Sequence, residues 1–327
     1  MNGVRCKKRG QKVNNMSKLY LGIDLGGTEV KIAVVNSQGE IIEQDSFPNS
    51  YHSVPDKIAQ EIIARARQMK HFKNIAGTGV GVAGDIDQEK GVVRISPNME
   101  KWKNIPLKKL LSSSLPGPII IDNDANAASW GAYWLDAHAK VKNLICITLG
   151  TGVGGGIICD GKLYRGATGT AGEIGHMTFD PHGPRCNCGS YGCIERYLGA
   201  RYLSAQAREE VGKGSQSIIS HLVHGNLDAI TPYVLTQAAN KGDLVARELW
   251  QRAGERLGIV LAGVVNLVNP EIIVLSGGVS KAGNLILLPL KKTVKERAFK
   301  KPAEACKIVI SKYTQKLGVV GAALLSR

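Results

Sequence analysis

LYLGIDLGGTEVKIAVVN (19–36) contains two apolar runs that are joined by a glycine pair. Aliphatic and β-branched residues fill both runs, and the small residues of DLGGT (24–28) permit a tight turn between them. We therefore predict a strand, a glycine turn and a second strand. NLICITLGTGVGGGIICDGKLY (143–164) repeats this pattern. Two copies of one strand–turn–strand unit indicate a chain built from two related halves, with a cleft between them.

The rest of the chain alternates between helical and strand patterns. Apolar residues with helical spacing occur in SVPDKIAQEIIARARQMK (53–70) and again over 243–268. EIIVLSGGVS (271–280) has the composition of a strand, and a last strand and helix are predicted over 307–327. This order of elements predicts an α/β fold with glycine turns at the strand ends.

The composition is that of a globular chain long enough for two domains, with 327 residues of which 43% are hydrophobic. Residues 1–18 are basic and are not followed by an apolar segment, so we interpret them as a basic flexible tail and not as a secretory signal. No apolar run in the sequence reaches the roughly 18 residues that a membrane helix needs. The expected location is the cytoplasm, where thiols stay reduced.

The net charge of +15 is high enough to attract nucleic acid or an anionic substrate. However, the basic residues are scattered along the chain, and aromatic residues make up only 5% of it, which is too few for a base-stacking surface. We therefore expect a solvated basic surface, with neither nucleic acid nor a membrane as a partner.

Three segments place a glycine pair after a strand, namely DLGGT (24–28), LGTGVGGG (149–156) and LSGGVS (275–280). Glycine lets backbone N–H groups approach a phosphate closely, and a neighbouring threonine adds a hydroxyl donor. Asp24 would place a carboxylate beside the phosphates, where it could hold Mg²⁺ directly or through water. A single glycine turn of this kind is commonly only a tight turn, but three are a stronger signal. The candidate phosphate contacts are Gly26, Gly27, Thr28, Gly150, Thr151 and Gly152.

Two other phosphate-binding motifs can be excluded. GVGVAG (79–84) and GTGVGG (150–155) both fit the G-x-G-x-x-G fingerprint of dinucleotide sites, which requires a helix directly after the glycines. Here the first is followed by a predicted turn and the second by a predicted strand. The G-x-x-x-x-G-K-[ST] motif of a P-loop is absent from the sequence.

Five motifs occur together in this chain, namely DLGGT (24–28), NDANAA (123–128), GTGVGGG (150–156), GEIGH (172–176) and CNCGSYGCIE (186–195). In this combination they resemble the ROK family of sugar kinases, and within it the bacterial glucokinases. The resemblance extends from about residue 19 to the end of the chain. It implies an actin-like ATPase (ribonuclease H-like) fold with two domains around a cleft, and the ATP-dependent phosphorylation of a hexose. The two halves inferred above agree with such a fold.

The resemblance also implies a domain division. We expect a small α/β domain over residues 19–122, which a C-terminal helix at about 313–327 would join. A large α/β domain would cover residues 123–312 and carry a zinc loop at 176–195.

By the family's pattern, the general base is Asp124, the second acid of DND (122–124), whereas Asp122 is expected to be a turn residue. Taken alone, Asp124 could equally be the N-cap of the helix that follows it. Gly277 and Gly278 should lie near the adenosine of ATP. The sugar contacts that the resemblance implies are Gly84, Asn98, Asn123, Asp124, Glu173, His176 and Glu195.

The first glycine turn departs from the family's pattern. Many members have Lys directly after GGT, whereas this chain has Glu29 there and Lys31 two residues further on. We include Lys31 among the candidate nucleotide contacts, but which cation meets the phosphates from this turn stays open.

Cys186, Cys188 and Cys193 follow His176 closely and make a Cys₃His set that suits tetrahedral Zn²⁺. The C-x-C spacing is tighter than usual, and Gly189 would allow a sharp turn, as would Gly192. Because the protein would supply all four ligands, such a zinc is expected to be structural and to hold the sugar-binding loop. The alternative is a group of buried thiols that bind no metal.

Several alternatives stay open at this stage. The hexose could be N-acetylglucosamine, N-acetylmannosamine, mannose or fructose instead of glucose, and polyphosphate could replace ATP as the donor. A sugar-responsive DNA-binding regulator is a rival from another class, but only about eighteen residues precede the first strand, too few for a helix-turn-helix domain. The family also implies a homodimer.

Overall fold

The computed structural model describes residues 18–327 except His52, Asn98 and Glu100. The predicted tail at residues 1–18 therefore lies outside the described residues, apart from Lys18.

Two five-stranded sheets have the same strand arrangement. In each sheet a central strand has an antiparallel neighbour on one side and a parallel neighbour on the other. The first sheet consists, in spatial order, of β3 (Ile41–Pro48), β2 (Glu29–Asn36), β1 (Leu19–Leu25), β4 (Ile75–Val82) and β8 (Ile119–Asn123). The second consists of β11 (Lys162–Tyr164), β10 (Val153–Cys159), β9 (Leu144–Leu149), β12 (Ile272–Ser276) and β13 (Lys307–Ile310). The two related halves that the sequence predicts are thus seen in the sheets.

A small antiparallel sheet flanks the first one and was not predicted from the sequence. It contains β5 (Asp85–Asp87), β6 (Val92–Ile95) and β7 (Lys103–Ile105). Its strands are only three or four residues long, which is too short for a clear alternating pattern.

Helices cover both sheets. The described helices before β12 are α1 (Pro55–Gln68), α2 (Leu107–Ser112), α3 (Asp124–Leu135), α4 (Glu195–Leu198), α5 (Ala200–Gly212), α6 (Ile219–Leu222), α7 (Pro232–Asn240) and α8 (Leu244–Val268). Those that follow are α9 (Asn284–Arg297), α10 (Lys300–Ala305) and α11 (Leu317–Leu325). None of these helices combines the length and the apolarity that a membrane span requires.

The sheets have separate hydrophobic cores on their outer faces. On the first sheet, Ile23 packs with Ile58 and Ile62 of α1. On the second, Ile273 packs with Leu257 and other residues of α8. The helical periodicity of these two helices therefore marked the faces that the sheets bury.

Two helices, α3 and α11, lie between the sheets and pack against each other. Helix α11 covers β1 and β4 of the first sheet, and α3 covers β9 and β10 of the second. Glycine permits the close approach of the two helices, because a side chain on Gly321 would overlap the carbonyl oxygen of Ala127. A side chain on Gly131 would in the same way overlap the carbonyl oxygen of Leu317.

The boundaries at 19–122, 123–312 and 313–327 stay a prediction. The predicted joining of the C-terminal helix to the small domain agrees with the packing of α11 on β1 and β4.

Replacing Gly321 by Ala should destabilise the protein by about 3 kcal/mol, the upper end of what overpacking costs, because the obstacle is the backbone of α3. Urea unfolding followed by circular dichroism measures the change. Gly263→Ala is the matched control, since Gly263 lies in α8 with no atom within 4 Å of the added methyl group. That control should stabilise the protein by about 0.5–1 kcal/mol, and equal effects of the two substitutions would contradict the packing described here.

Candidate functional site

Two carboxylates lie at one edge of the first sheet. Asp24 of β1 pairs with Gly81 of β4, which in turn pairs with Asp122 of β8. These three strands are parallel, so their carboxyl ends meet at the same edge, which is where open α/β sheets bind ligands. The first glycine turn and the start of α3 both follow directly from this edge.

Asn123, and not Asp124, is the N-cap of α3. Its side-chain oxygen accepts hydrogen bonds from the backbone N–H groups of Ala125, at 2.8 Å, and Asn126, at 3.2 Å. Asp124 is the first residue of the helix, and its Oδ1 accepts from the N–H of Ala125 at 2.9 Å. The interpretation of Asp124 as the N-cap is therefore wrong, and its Oδ2 accepts no hydrogen bond from the described residues.

The remaining hydrogen-bond capacity of Asn123 is restricted. Its Nδ2 donates to the carbonyl oxygen of Gly84 at 3.0 Å, which connects the loop after β4 to the start of α3. Gly84 has a φ of +134°, a conformation that side-chain-bearing residues rarely adopt. Since the Oδ1 of Asn123 already accepts twice and Nδ2 has donated once, one N–H is left for a ligand.

Asp122 is a buried anchor and not the turn residue that the sequence suggested. It belongs to β8, is 2% exposed, and accepts from Nε and Nη2 of Arg165 at 2.9 and 2.7 Å. Asn126 adds a hydrogen bond from its Nδ2 at 3.0 Å. A buried carboxylate requires partners of this kind, and here they bind β8 to the segment that follows β11.

The pKa values of Asp24 and Asp124 are both raised. Burial raises the pKa of Asp24 to about 6, and the charge of Asp124 adds to the shift while Lys31 opposes it. Burial also raises the pKa of Asp124, although the N–H of Ala125 favours the charged form. Lys31 lies 3.6 Å from Glu29, which partly neutralises it. Two adjacent acids without full compensation fit a divalent cation such as Mg²⁺.

Glu173 and its neighbours converge on Asp124. Partial burial raises the pKa of Glu173, and the nearby charges of Asp124, Glu195 and Asp85 raise it further. His176 opposes this shift, and its Nε2 lies 3.9 Å from Oε2 of Glu173. The structure thus brings together side chains from β5, α3, the 173–176 segment and α4.

Glu195 also contacts the second glycine turn. Its Oε2 accepts from the backbone N–H of Val153 at 3.0 Å, and a side chain at Gly152 would collide with this carboxylate. Glu195 is the first residue of α4, so a favourable position at a helix N-terminus also applies. The contact connects the predicted sugar-binding loop with a predicted phosphate-binding turn.

The second and third glycine turns line one cavity of about 510 Å³. They are neighbours because β9 and β12 pair in parallel up to Thr148 and Ser276. Gly277 has a φ of +92° and packs so closely on Leu149 that only glycine fits. The cavity is lined by Gly150, Thr151, Ala200, Thr231, Pro232, Tyr233, Thr236, Gly278, Val279 and Lys281.

The first glycine turn is held by its own backbone and by a neighbouring loop. The N–H of Gly26 donates to the carbonyl oxygen of Glu29 at 3.0 Å, and Nδ2 of Asn49 donates to the carbonyl oxygen of Gly26 at 2.9 Å. Gly27 is half-buried and Thr28 is exposed. The turn follows Asp24 directly. Asp24 pairs with Gly81, where an added Cβ would lie 3.6 Å from the Cα of Asp124, so the turn lies near the start of α3.

His176 and the three clustered cysteines form a group whose ligand atoms all lie within 4.8 Å of one another. Nδ1 of His176 is 3.7 Å from Sγ of Cys186, and the Sγ atoms of Cys188 and Cys193 are 3.6 Å apart. These spacings fit the edges of a tetrahedron around Zn²⁺, which are about 3.8 Å for Zn–S bonds of about 2.3 Å. The donor set and its geometry therefore fit a structural zinc.

Two glycines shape the loop that carries these ligands. Gly189 has a φ of +96° and Gly192 a φ of +60°, as their predicted roles in sharp turns require. A side chain on Gly192 would also overlap the carbonyl oxygen of Asp180.

The sequence missed several residues that shape the site. Arg165 is one of them, because its partner Asp122 is 43 positions away in the chain. Arg94 is another, since it lies 2.8 Å from Asp85 and donates to the carbonyl oxygen of Thr168 at 3.4 Å. Thr231 and Pro232 line the same cavity as the glycine turns, and the sequence contained one signal for them. A Thr-Pro pair is typical of the start of a helix, and α7 does start there. Asn98, a predicted sugar contact, lies outside the described residues.

Comparison with known proteins places the chain in one family. The ROK family model matches residues 20–327. A glucokinase from Halalkalibacterium halodurans is 36% identical over 310 residues, which is 92% of this chain and 93% of the relative. A xylose repressor from Caldicellulosiruptor bescii is 34% identical over 317 residues, 95% of this chain and 78% of the repressor. A crystal structure of a ROK family glucokinase from Streptomyces griseus in complex with glucose and AMPPNP has a TM-score of 0.82 at 33% identity, covering 94% of this chain and 99% of that chain.

The chain belongs to the ROK family. Its fold is the actin-like ATPase fold of mixed α/β architecture, as the sequence predicted.

Purified protein should contain about one zinc per chain after dialysis, measured by elemental analysis, because the four ligands form a closed tetrahedral set. Cys193→Ser removes a fully buried ligand and should lose the metal. Cys159→Ser is the control, since Cys159 is exposed and is not part of the ligand group. A wild-type protein without zinc, or equal zinc in both variants, would refute the metal site.

Proposed function

We propose that this chain is an ATP-dependent sugar kinase that transfers the γ-phosphoryl group of ATP to the 6-hydroxyl group of glucose. The observation that carries the proposal is the convergence of Asp124 with Glu173 and Glu195 beside the glycine turns. The glucokinase relatives, and the similarity to a structure that holds glucose and AMPPNP, support this class of enzyme.

The nucleotide would occupy the cavity between the second and third glycine turns. Gly277 and Gly278 would lie beside the adenosine, and the volume of about 510 Å³ is in the range of small-molecule sites. The phosphates would then extend toward the turns at Gly26–Thr28 and Gly150–Gly152, where backbone N–H groups can bind them. Lys31, which lies opposite Asp24 in the β1–β2 pair, would be the nearest cation of the first turn.

Asp24 is the proposed ligand for Mg²⁺. Burial and the charge of Asp124 both destabilise the ionised form of Asp24, which raises its pKa. A bound cation would stabilise that ionised form. Magnesium bound there would neutralise negative charge on the transferred phosphoryl group.

Asp124 is the proposed general base. A sugar hydroxyl is a poor nucleophile, and it loses its proton as the phosphoryl group arrives. Since Asn123 caps α3, the Oδ2 of Asp124 is available to accept this proton. The raised pKa of Asp124 makes it a stronger base than an ordinary aspartate.

The sugar would be bound by donors and acceptors of fixed direction. Asn123 has one N–H to donate, whereas Glu173 and Glu195 supply carboxylate acceptors. With Nδ1 of His176 directed at the zinc ligands, its Nε2–H can donate to the sugar or to Glu173. Gly84 and Asn98 complete the proposed set of contacts. The zinc would hold His176 and the start of α4 in place.

The predicted homodimer and the predicted location stay predictions. The choice of glucose rests on the relatives alone, so other hexoses are tested beside glucose. Polyphosphate is tested beside ATP as the phosphoryl donor.

A coupled assay of ADP release with a panel of sugars tests the proposed function. We expect the highest kcat/KM with glucose, and lower values with mannose, fructose, N-acetylglucosamine and N-acetylmannosamine. A preference for another sugar would refute the glucose assignment and keep the kinase. If no sugar is phosphorylated with ATP or polyphosphate, and a DNA duplex binds in a sugar-dependent way at physiological salt, the chain is a regulator.

Asp124→Asn should lower kcat by a factor of about 10²–10⁴, because the amide cannot accept the proton. Glucose binding, measured by calorimetry, should persist because the amide keeps the shape of the side chain. Asp228→Asn provides the control, as Asp228 is exposed, lies on a 3₁₀ turn and is not among the proposed site residues. Near-normal turnover of Asp124→Asn would remove Asp124 from the mechanism.

A further inference from the structure

A second cavity is lined by residues of the zinc loop, α4, α5 and α8. Its volume is about 360 Å³, which falls within the range of roughly 300–1,000 Å³ that is typical of small-molecule sites. We call it the arginine cavity, and it is distinct in its lining from the cavity between the glycine turns. It is lined by Pro184, Arg196, Tyr197, Tyr202, Ala205, Gln206, Glu209 and Arg256.

Both arginines of this cavity are held by aromatic stacking. The guanidinium carbon of Arg196 lies 4.2 Å from the ring centre of Tyr202, and that of Arg256 lies 4.9 Å from the ring centre of Tyr197. Stacking uses the face of a guanidinium group and leaves its N–H groups, which lie in the plane, able to bind an anion. The two cations are therefore positioned without the use of most of their hydrogen-bond donors.

Neither arginine has a carboxylate partner among the described residues. Arg196 makes no side-chain hydrogen bond there, and its Nε is buried without a partner. Arg256 donates through Nη1 to Oε1 of Gln206 at 2.8 Å. The amide of Gln206 is fixed in turn, because its Nε2 donates to the carbonyl oxygens of Tyr197 and Tyr202, each at 3.1 Å.

The charge of the cavity is only partly compensated, since the charge of Asp180 favours the Arg256 cation without forming an ion pair with it. Burial lowers the pKa of Arg256, and the nearby Arg252 lowers it further, which shows that the surroundings disfavour the cation. Glu209, the one acidic residue of the lining, is paired at 2.6 Å with Lys213 and lies at the exposed rim. An anion that binds between the two guanidinium groups would relieve this imbalance.

We propose that the arginine cavity is a second ligand site, which binds a phosphorylated sugar or polyol with its phosphate group between Arg196 and Arg256. Two guanidinium groups from different helices match a phosphate monoester, which carries up to two negative charges and three acceptor oxygens. Glu209 at the rim can accept hydrogen bonds from hydroxyl groups of the ligand.

The site adjoins the chain segments on both sides of Glu195. Pro184, in the cavity wall, accepts a hydrogen bond from the N–H of Gly192 at 2.9 Å, within the zinc loop. The N–H of Arg196 donates to the carbonyl oxygen of Cys193 at 2.9 Å. A ligand in the arginine cavity thus contacts the same short segments that position the sugar-binding side chains, without entering the cleft.

Isothermal titration of the full chain with inorganic phosphate and with glucose 6-phosphate tests the proposal. The ionic strength is constant, and glucose and AMPPNP are saturating so that the proposed kinase site is filled. Wild-type protein should bind one ligand, and Arg256→Gln and Arg196→Gln should each weaken the binding at least about tenfold, because each removes one of the two charges that hold the phosphate. Arg297→Gln, an exposed arginine at the end of α9, is the charge-matched control and should bind as the wild type does.

The two probes separate phosphate from its esters. Glucose 6-phosphate should bind more tightly than inorganic phosphate, and Glu209→Gln should reduce this difference without weakening the binding of inorganic phosphate. If inorganic phosphate binds equally well, the ester part of the proposal is wrong.

Several outcomes would overturn the site as a whole. The proposal is wrong if the wild type binds neither probe, or if Arg196→Gln and Arg256→Gln both bind as the wild type does. It is also wrong if Arg297→Gln loses as much affinity as these two variants. Binding that appears only when glucose and AMPPNP are omitted would place the anion in the cleft instead. If Arg256→Gln does not fold, Arg196→Gln decides the question, because its side chain makes no hydrogen bond to the described residues. The two variants report on this cavity even if the proposed kinase reaction is wrong.

Discussion

The close contact between α3 and α11 sets the position of both acids at the centre of the molecule. Helix α3 begins at Asp124, and the second residue of α11, Gly318, lies so close to Asp24 that an added Cβ would come within 2.5 Å of its carboxylate. Since Gly321 and Gly131 bring the two helix backbones together, the distance between the sheets fixes the distance between the two carboxylates. The glycine contacts that pack α3 on α11 therefore also position the two acids, so the fold and the site share one constraint.

The repeated strand–turn–strand unit was sufficient to predict the two halves, because glycine turns and apolar strands are local features of sequence. The grouping of His176 with the three cysteines was predictable for the same reason, since three of the four lie within eight consecutive residues. The roles within DND were not, because a single pattern of polar residues after a strand allows either Asn123 or Asp124 to cap the helix. Arg165 and the wall of the nucleotide-sized cavity were missed because they meet their partners only through the folding of distant segments.

The zinc loop is attached to the core of the second sheet at its ends, where Phe179 and Ile194 pack, whereas Cys188 and Gly189 between them are exposed. Cys193 and Cys186 are buried, but the loop around Cys188 is exposed and turns twice through glycines in unusual conformations. A metal ion that binds all four ligands would cross-link this exposed part and so fix the residues that follow. Glu195 follows Cys193 by two residues and accepts a hydrogen bond from the N–H of Val153. Fixing Glu195 therefore also helps to hold the glycine turn of the second sheet.

The hydrogen-bond inventory of Asn123 has a directional consequence. Its oxygen is saturated by the helix start, so an alcohol that meets this amide can only receive a hydrogen from it. That alcohol must then point its own hydrogen away from the amide, and the unsaturated oxygen of the adjacent Asp124 is the neighbouring acceptor. The hydrogen bonds thus run in one direction, from amide to alcohol to carboxylate. This would orient the O–H bond toward Asp124 before any phosphorus atom approaches.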